Sequence, residues 1–361
     1  MKILHIHASM QSGGIESMVC SLANEMAKKE QVTVCSIREP KDSDIFWNRL
    51  DLSVSKTTLH KKTRLTIFDL VRVYQFIKKG HYDIVNMHGF FYYYALAVLI
   101  LHSSVKFIYT VHSDASKENQ VLDKYLVILK RFLFRYRWMH PVTISKASDD
   151  SFYNLYNCHG NVIYNGIPSP HIIKRSESPI HGIRITDQTL VLFHAGRIDK
   201  VKNQHMLCSC VNRLINEGFD IALVIAGKRQ YEDAYQMIEP YFSRRIVYIG
   251  EHDDIPQLMS ESDAMCLSSI YEGMPVTLLE AIATGCVPIC TPVGGIVNVI
   301  QDGINGILST SCNESDYYDA IKRFVQLDTD SRHKLSNKAK DSFKNYTIES
   351  TAKDYLKLYA S

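Results

Sequence analysis

Residues 263–285 read DAMCLSSIYEGMPVTLLEAIATG, and this one stretch contains an apolar strand, a polar loop and a compact apolar helix. The strand is predicted over 263–269. Proline is favoured at the first position of a helix and glycine just past its end, so a helix is expected to start at Pro275 and to end before Gly285. A strand–loop–helix unit of this kind is a building block of α/β proteins.

The same unit recurs along the chain, because short apolar or β-branched runs alternate with helical segments. In the first half, strands are predicted at 2–7, 32–37, 83–87, 106–111 and 141–145, with helices at 15–29, 66–79, 91–102, 121–137 and 147–155. In the second half, strands are predicted at 190–196, 221–227, 245–250, 263–269 and 287–291, with helices between them and from about 314 onward. Apolar strands between helices indicate parallel sheets that are covered on both faces. The predicted fold class is therefore α/β, with doubly wound parallel sheets.

The chain of 361 residues is too long for one ordinary core, so two domains are expected. The alternating pattern breaks at 164–189, a polar and proline-containing segment that is the best candidate for a linker. An N-terminal domain over 1–165 and a C-terminal domain over 166–345 are predicted. Ligands of such sheets bind at the carboxyl ends of the strands, so the active site is expected in a cleft between two facing domains.

The composition disfavours several classes of protein. Apolar residues make up 46% and charged residues 22% of the chain, as in globular proteins. The nine cysteines include no C-x-x-C pair, which argues against a zinc site or a thioredoxin motif. The most apolar run, FFYYYALAVLIL at 90–101, is shorter than the roughly 20 residues of a membrane helix. The scattered cysteines fit a reducing cytoplasm, and no signal peptide is recognised in the opening MKILHIH; a cytoplasmic location is expected.

Positive charge is concentrated in the first half of the sequence. Residues 1–165 carry 21 Lys and Arg against 14 Asp and Glu, whereas the remainder carries 20 against 24. The asymmetry suggests an anionic partner, such as a membrane surface or a phosphorylated acceptor; no nucleic acid partner is expected. Residues 124–140, KYLVILKRFLFRYRWMH, carry five basic and no acidic residues. This segment is either a core-packed helix with a solvated basic face or a surface for anionic lipid at the inner membrane face, formed by Lys130, Arg131, Arg135 and Arg137.

Glu272 and Glu280 are the two carboxylates of the opening stretch. On one continuous helix they would lie about 12 Å apart along the axis, whereas a retaining glycosidase places its pair at roughly 5–5.5 Å. The two carboxylates are better suited to contact two separate parts of one long ligand. A phosphate of that ligand would lie between them, at the start of the helix. The alternative is two surface glutamates that the helix dipole favours.

The segment GRIDKVKN at 196–203 follows a strand and opens a helix, and it supplies Arg197 and Lys202. A forked guanidinium and a flexible ammonium form a suitable clamp for a pyrophosphate leaving group. The alternative is two solvated charges, which the dipole at a helix start opposes unless an anion is present.

Two glycine pairs and a histidine complete the candidates. Gly13 and Gly14 join the first strand to the first helix, where backbone amides can approach a ligand. The pair at 294–295 follows a later strand in the same way. Neither matches G-x-G-x-x-G, so the dinucleotide fingerprint is absent and an oxidoreductase is disfavoured. His112 lies at the carboxyl end of a strand, a position where a lone histidine is more often a hydrogen-bonded structural residue.

Taken together, these motifs resemble those of glycosyltransferase family 4, the retaining GT-B enzymes that use nucleotide sugars. The resemblance is carried by GG at 13–14, HS at 112–113, NG at 165–166, GR-x4-K at 196–202, EG-x-P-x4-E at 272–280 and VGG at 293–295. It implies a GT-B fold of two Rossmann-like domains facing across a cleft. It also implies that the final helix, at 346–361, crosses back to the N-terminal domain.

The family's site roles are carried over by position. The resemblance implies that Arg197 and Lys202 bind the diphosphate, that Glu272 bonds hydroxyls of the donor sugar and that Glu280 binds the ribose. Catalytic roles are thereby implied for Glu272, His112, Arg197 and Lys202, with His112 beside the sugar. Donor binding is implied for Gly13, Gly14, Gly273, Met274, Pro275 and Val276 as well. No metal and no cofactor are expected, because the two cations and the helix dipoles stabilise the departing diphosphate.

The resemblance predicts a hexosyltransferase that elongates a cell-surface polysaccharide such as O-antigen or capsule. The acceptor would be a glycan or a polyprenyl-diphosphate-linked glycan, and the enzyme would act in the cytoplasm or at the inner face of the membrane. One departure from the family pattern, AGKRQ at 226–230 in place of a glycine-rich G-x-G-P, leaves the nucleotide base open. UDP-sugars are the first choice and GDP-sugars the second. A nucleotide-sugar epimerase of the same fold and a non-catalytic sugar-binding protein are the alternatives.

Overall fold

The computed structural model describes residues 1–11, 13–41, 44–61, 67–89, 91–116, 123–173 and 178–361. These form two compact units, one of residues 1–168 with 347–361 and one of residues 169–346. Parts of two predicted helices and of the predicted linker, namely residues 66, 121–122 and 174–177, lie outside the described residues.

The first unit is built on a parallel sheet in the order β3-β2-β1-β4-β5-β6-β7. Its strands are β1 (Lys2–His7), β2 (Gln31–Arg38), β3 (Ser55–Lys61), β4 (Ile84–His88), β5 (Lys106–Val111), β6 (His140–Thr143) and β7 (Asn161–Val162). Its helices are α1 (Gly14–Met26), α2 (Ile45–Asn48), α3 (Ile67–Gly80), α4 (Ala95–Leu101), α5 (Asp123–Arg135), α6 (Lys146–Tyr156) and, from the end of the chain, α14 (Ile348–Ala360). The strand order reverses between β1 and β4, and such a switch point is where ligands of open α/β sheets bind.

The second unit repeats this plan with a parallel sheet in the order β10-β9-β8-β11-β12-β13. Its strands are β8 (Leu190–Ala195), β9 (Ile221–Ala226), β10 (Ile246–Gly250), β11 (Ala264–Leu267), β12 (Val287–Cys290) and β13 (Ile307–Leu308). Its helices are α7 (Gln204–Asn216), α8 (Glu232–Ile238), α9 (Ile255–Ser260), α10 (Val276–Thr284), α11 (Ile296–Val299), α12 (Glu314–Gln326) and α13 (Thr329–Phe343). Here the order reverses between β8 and β11.

Both faces of the first sheet are buried, because side chains alternate between the two faces of a strand. On β1, Leu4 and Ile6 enter one apolar cluster and Ile3 enters the other. The second cluster also contains Tyr355 and Tyr359 of α14. The Tyr359 hydroxyl accepts a hydrogen bond from Asn86 Nδ2 at 2.9 Å. The last helix is thus an integral part of the first unit.

The predicted α/β class and the doubly wound parallel sheets are confirmed, and each strand predicted from an apolar run is present within a few residues. Three strands were not predicted: β3, β7 and β13. The sequence of β3, SKTTLHK, is polar because the strand forms the edge of its sheet, and the other two contain only two residues each.

Two predicted helix boundaries were wrong in detail. The helix predicted at 91–102 is divided into a 3-10 turn at Phe91–Tyr93 and α4. Pro275 precedes the first helical residue of α10 and adopts an extended conformation with ψ 127°. The helix ends as predicted, with Gly285 in the left-handed region at φ 80°.

Candidate functional site

Lys202 and Glu272 are joined directly in the second unit. The Lys202 ammonium donates a hydrogen bond to Glu272 Oε1 at 2.6 Å. The Ser269 hydroxyl donates to the same oxygen at 2.7 Å. The Glu272 side chain is 9% exposed and that of Lys202 is 20% exposed. Lys202 and Glu272 are seventy residues apart in the sequence. Their contact joins the segments that follow β8 and β11, at the carboxyl ends of these two strands.

The loop between β8 and α7 is fixed against the segment that follows β11. The amide of Ile270 donates to the carbonyl of Val201 at 2.8 Å. The Ser268 hydroxyl lies 2.9 Å from the carbonyl oxygen of Lys202 and 3.0 Å from that of Asn203. Asn203 immediately precedes α7 in the left-handed conformation, with φ 50°. These bonds set the backbone from which the Lys202 side chain extends toward Glu272.

His194 and Gln204 hold the loop between β8 and α7 through buried hydrogen bonds. His194 Nδ1 donates to the carbonyl of Cys266 at 2.8 Å, so its Nε2 accepts from Gln204 Nε2 at 3.1 Å. Gln204 Nε2 also donates to the carbonyl of Arg197 at 2.7 Å. Burial lowers the pKa of His194 to about 4, which keeps the ring neutral for these two roles. Neither residue was predicted from the sequence, although a histidine inside the apolar run LVLFHA was a usable signal.

Arg197 follows β8 and is exposed, and among the described residues its guanidinium has no hydrogen bond or ion pair. Its backbone is held by Gln204, while its charge remains available to an anion. Of the two basic residues after β9, Lys228 is exposed, whereas Arg229 pairs with Glu232 and stacks on Tyr235 at 3.6 Å. The charge of Arg229 is therefore largely compensated within the protein.

The loop after Glu272 packs against the second predicted glycine pair. Gly294 has φ 53°, and a Cβ atom there would lie 1.8 Å from the carbonyl oxygen of Glu272. The amide of Gly295 donates to the carbonyl of Gly273 at 2.5 Å. The turn at 294–295 thus touches the backbone of the Glu272 loop, and only glycine fits at its first position.

The start of α10 lies next to this loop. Met274 and Pro275 are buried, and Val276 is partly exposed. No side chain caps the helix start, so its first amides are not bonded by a capping side chain. Glu280 lies in the second turn of the helix and is partly buried. The structure thus places Glu272 before the helix and Glu280 inside it, as expected from the sequence.

In the first unit, His112 is buried and follows β5 directly. Its Nε2 lies 2.9 Å from Nδ1 of His88, the last residue of β4. Burial lowers the pKa of His112 to about 3, with a smaller effect of His7. His112 therefore has the role of a hydrogen-bonded structural residue, which is usual for a lone histidine at the end of a strand. His88 was missed by the sequence analysis.

Gly13 and Gly14, at the start of α1, are connected to the region of His112 by contacts that Glu16 of α1 makes. Gly13 precedes α1, and a Cβ atom on it would lie 2.3 Å from Glu16 Oε2. Glu16 Oε1 is 3.6 Å from His7 Nε2, and His7 Nδ1 donates to the carbonyl of His88 at 2.7 Å. The glycine loop and His112 are therefore linked by His7 and His88 at the switch point between β1 and β4. Among the described residues, no group of three or more His, Cys, Asp or Glu side chains is arranged to hold a metal ion.

The basic segment at 124–140 requires a correction. Lys130 was assigned to a basic outer face, but it is 3% exposed. Its ammonium bonds the Tyr156 hydroxyl at 3.2 Å and lies over the rings of Phe91 and Tyr109. Desolvation of this cation is offset by the three aromatic faces around it. Lys130 is therefore a core residue of the first unit.

The outer face of α5 is apolar as well as basic. Tyr125, Ile128 and Phe132 are 87%, 64% and 42% exposed, and Tyr136, directly after the helix, is 58% exposed. The spacing of three and four residues places the first three on one side of the helix. Arg131, Arg135 and Arg137 are also exposed. No helix within the described parts of the chain has the length and apolar character needed to cross a bilayer.

Two family models match the chain. The model described as Glycosyltransferase Family 4 matches residues 12–169, and the model described as Glycosyl transferases group 1 matches residues 179–342. The two matches fall on different halves of the sequence and together span nearly all of it. The second contains both Lys202 and Glu272.

Two named relatives and one solved structure are similar to this chain along most of their length. A Campylobacter jejuni protein named GalNAc-α-(1→4)-GalNAc-α-(1→3)-diNAcBac-PP-undecaprenol α-1,4-N-acetyl-D-galactosaminyltransferase is 23% identical over 370 residues, covering 100% of this chain and 98% of that protein. An uncharacterized glycosyltransferase of Methanocaldococcus jannaschii is 24% identical over 296 residues, covering 77% and 75%. The crystal structure of Anabaena HepE in complex with UDP and glucose has a TM-score of 0.81 at 18% identity, covering 100% of both chains.

Proposed function

Because this chain belongs to glycosyltransferase family 4 and has the GT-B architecture, we propose that it is a retaining hexosyltransferase with a UDP-sugar donor. Its acceptor is a glycan or a polyprenyl-diphosphate-linked glycan of a cell-surface polysaccharide. The observation that carries the proposal is the meeting of Lys202 and Glu272 at the switch point of the second sheet, beside the exposed Arg197. This arrangement combines cations for a diphosphate with a carboxylate for sugar hydroxyls.

Arg197 and Lys202 bind the donor diphosphate in this proposal. A flexible ammonium and a forked guanidinium neutralise the charge that develops on the leaving group, which is an electrostatic form of catalysis. The uncapped amides at the start of α10 add to the positive potential next to Gly273 and Met274. These groups suffice to stabilise the diphosphate, so the proposed reaction requires no metal ion.

The two glutamates hold the donor on either side of the diphosphate. Glu272 accepts hydrogen bonds from sugar hydroxyls, and its bond to Lys202 fixes the orientation of the carboxylate. Glu280 binds the ribose hydroxyls from the second turn of α10. For the first unit, the family resemblance implies that Gly14 packs near the diphosphate and that His112 lies next to the donor sugar.

The reaction exchanges one bond at the anomeric carbon for another. The bond to the diphosphate oxygen breaks, and that oxygen leaves with the bonding electron pair. An acceptor hydroxyl oxygen bonds the anomeric carbon on the face that the diphosphate vacates, and the departing diphosphate takes the hydroxyl proton. The products are the glycosylated acceptor and UDP, and the anomeric configuration is retained.

UDP is preferred over GDP because Anabaena HepE, whose fold this chain shares, was crystallised with UDP and glucose. The acceptor class is supported by the Campylobacter jejuni relative, whose name specifies an undecaprenol-linked glycan. A lipid-linked acceptor would require the enzyme to reach a membrane. The exposed Tyr125, Ile128 and Phe132, flanked by Arg135 and Arg137, have the character of a surface that docks on anionic lipid.

Thermal-shift measurements with a panel of nucleotide sugars test the donor, because a selective ligand stabilises the folded protein by mass action. UDP-sugars are expected to raise the melting temperature more than GDP-sugars. Mass spectrometry of the products then separates the alternatives. An isomerised donor formed without acceptor would indicate an epimerase, whereas binding of free sugar without nucleotide would indicate a sugar-binding protein.

A further inference from the structure

Three buried histidines form a continuous row at the switch point of the first sheet. His5 Nδ1 lies 3.2 Å from His88 Nε2, and His88 Nδ1 lies 2.9 Å from His112 Nε2. Their side chains come from β1, from the end of β4 and from the residue after β5, and the residues are 0%, 1% and 8% exposed. Both nitrogens of the central ring are therefore engaged by other imidazoles.

All three rings are neutral near pH 7. Burial lowers the pKa of His5 to about 4 and that of His112 to about 3. The pKa of His88 is lowered well below its usual value, first by burial and then by the neighbouring histidines. A neutral imidazole has one N–H donor and one acceptor nitrogen. His88 must consequently donate to one neighbour and accept from the other.

Only two arrangements of protons satisfy both contacts. In the first, His5 Nδ1 donates to His88 Nε2 and His88 Nδ1 donates to His112 Nε2, so the proton of His112 is on Nδ1. In the second, every bond is reversed, and the proton of His5 is on Nε2. The position of one proton in the row therefore determines the tautomer of all three rings.

The environment of His5 distinguishes the two arrangements. Its Nε2 is buried and has no hydrogen-bond partner among the described residues. The second arrangement would leave a buried N–H without an acceptor, whereas the first leaves only an unused lone pair. Orphaned buried donors are rarer in proteins than under-used acceptors, so the first arrangement is favoured.

We propose that His5 and His88 are positioning residues that hold His112 as the Nδ1–H tautomer, so that His112 is a neutral hydrogen-bond donor through Nδ1. The inference rests on the proposed function in one respect, namely that the acceptor of this bond is an oxygen of the donor sugar. A neutral donor recognises a hydroxyl or ring oxygen of a hexose without gaining or losing a proton. His112 would then orient the sugar rather than act as an acid or a base.

Imidazole nitrogen NMR of the full chain labelled with ¹⁵N-histidine tests the tautomer directly. Substituted variants assign the His112 signals. The parent protein is expected to show a protonated Nδ1 and an unprotonated Nε2 for His112 at neutral pH. A protonated Nε2, or two protonated nitrogens, would overturn the inference whatever the enzyme does to a substrate.

Variants along the row test the positioning roles. In His88→Phe, His112 loses its only donor in the row, and a mixture of its two tautomers is expected. If that variant does not fold, His5→Phe removes the donor one link earlier and should also produce a mixture. His81→Asn is the matched control, because His81 is exposed and lies on the same unit. An unchanged His112 tautomer in a folded His88→Phe or His5→Phe, or an equal change in the control, would refute the positioning roles.

Kinetics separate this inference from the proposed function. His88→Phe is expected to lower kcat/KM for glycosyl transfer about ten- to a hundredfold through misorientation of His112, with no new ionisation in the pH profile. If His88→Phe alters the tautomer while His112→Ala retains full transfer activity, the positioning inference stands and the assignment of His112 to the sugar fails. If the tautomer is as expected and both His88→Phe and His112→Ala lose activity, the positioning inference and the assignment of His112 to the sugar are both supported.

Discussion

The Lys202 ammonium and the Glu272 carboxylate form a 2.6 Å hydrogen-bonded ion pair that joins the segment after β8 to the segment after β11. Ser269 donates to the same carboxylate oxygen and Ser268 to the backbone beneath Lys202. The pair is largely removed from solvent, and the exposed Arg197 lies in the same loop as Lys202. In the proposed function, this ion pair orients the two groups that bind the diphosphate and the sugar.

Removing the carboxylate should destabilise the second unit. Glu272→Ala would leave the Lys202 ammonium without its partner, and a poorly solvated, unpaired charged group costs about 1–3 kcal/mol. Glu272→Gln keeps an oxygen for Ser269 and should cost less. Urea unfolding measures both variants. The control is Glu232→Ala, because Glu232 pairs with Arg229 on the exposed surface, where an ion pair contributes little to stability. An equal loss in Glu272→Ala and the control would contradict the prediction.

Gly294 should be required for its lack of a side chain as well as for its backbone conformation. Gly294→Ala places a methyl group against the carbonyl of Glu272, where 1.8 Å is available, so the loop must move and transfer activity should fall at least about tenfold. Gly303→Ala is the matched control, since Gly303 has φ 71° with open space around its Cβ position. Gly303→Ala should lower the free energy of unfolding by about 1 kcal/mol and should retain transfer activity. Full activity in Gly294→Ala would disprove the steric argument.

The buried histidines should make the protein lose stability as the pH falls below their unfolded pKa. The folded pKa of His5 is about 4 against 6.5 in its ordinary state, so the unfolded chain binds more protons between these values. Stability is therefore present above pH 6.5 and is lost on acidification toward pH 4. For His5 alone the loss between about pH 7.5 and about pH 5 is roughly 2 kcal/mol.

Comparison of urea unfolding at these two pH values in the parent and in His5→Phe checks this contribution. The variant should lose roughly 2 kcal/mol less than the parent. His81→Asn is the control, because His81 is exposed. The same pH dependence in His5→Phe and in the parent would show that His5 does not contribute.

Membrane docking through α5 should depend on the arginines that are exposed. Arg135→Gln with Arg137→Gln is expected to weaken binding to vesicles that contain anionic lipid by roughly thirtyfold, since each basic residue contributes about 1 kcal/mol near such a surface. Lys130 is excluded from the test because it lies in the core. Lys334→Gln with Lys338→Gln removes the same charge from exposed positions on α13. Co-sedimentation measures both pairs, and an equal effect would show that α5 has no special role.

The fold could largely be predicted from the sequence because its central strands are apolar and its helices are amphipathic. The edge strand β3 escaped detection, since SKTTLHK is polar where a strand has one unpaired side. Lys130 was misplaced for a related physical reason. A basic residue in a helix is usually solvated, and only the tertiary structure brings Phe91, Tyr109 and Tyr156 around its ammonium.

The contact of Lys202 with Glu272 was likewise only partly predictable. Their positions after two strands indicated the same edge of a sheet, but the 2.6 Å bond depends on the strand order that places β8 beside β11. The histidine row has the same origin. His5, His88 and His112 are far apart in the chain, and the order β1-β4-β5 brings them together.

Calorimetric titration of UDP into the parent protein and into variants of Arg197 and Lys202 tests most directly whether these two cations bind the donor diphosphate. Arg197→Ala and Lys202→Ala should each raise Kd for UDP about ten- to a hundredfold, because a charge-assisted hydrogen bond contributes about 1.5–3 kcal/mol. The control is Arg244→Ala, at an exposed arginine that precedes β10 at the opposite end of the sheet. Its Kd should stay within about twofold of the parent value. UDP affinities in Arg197→Ala and Lys202→Ala that match that of the control would show that these two cations do not bind the donor diphosphate.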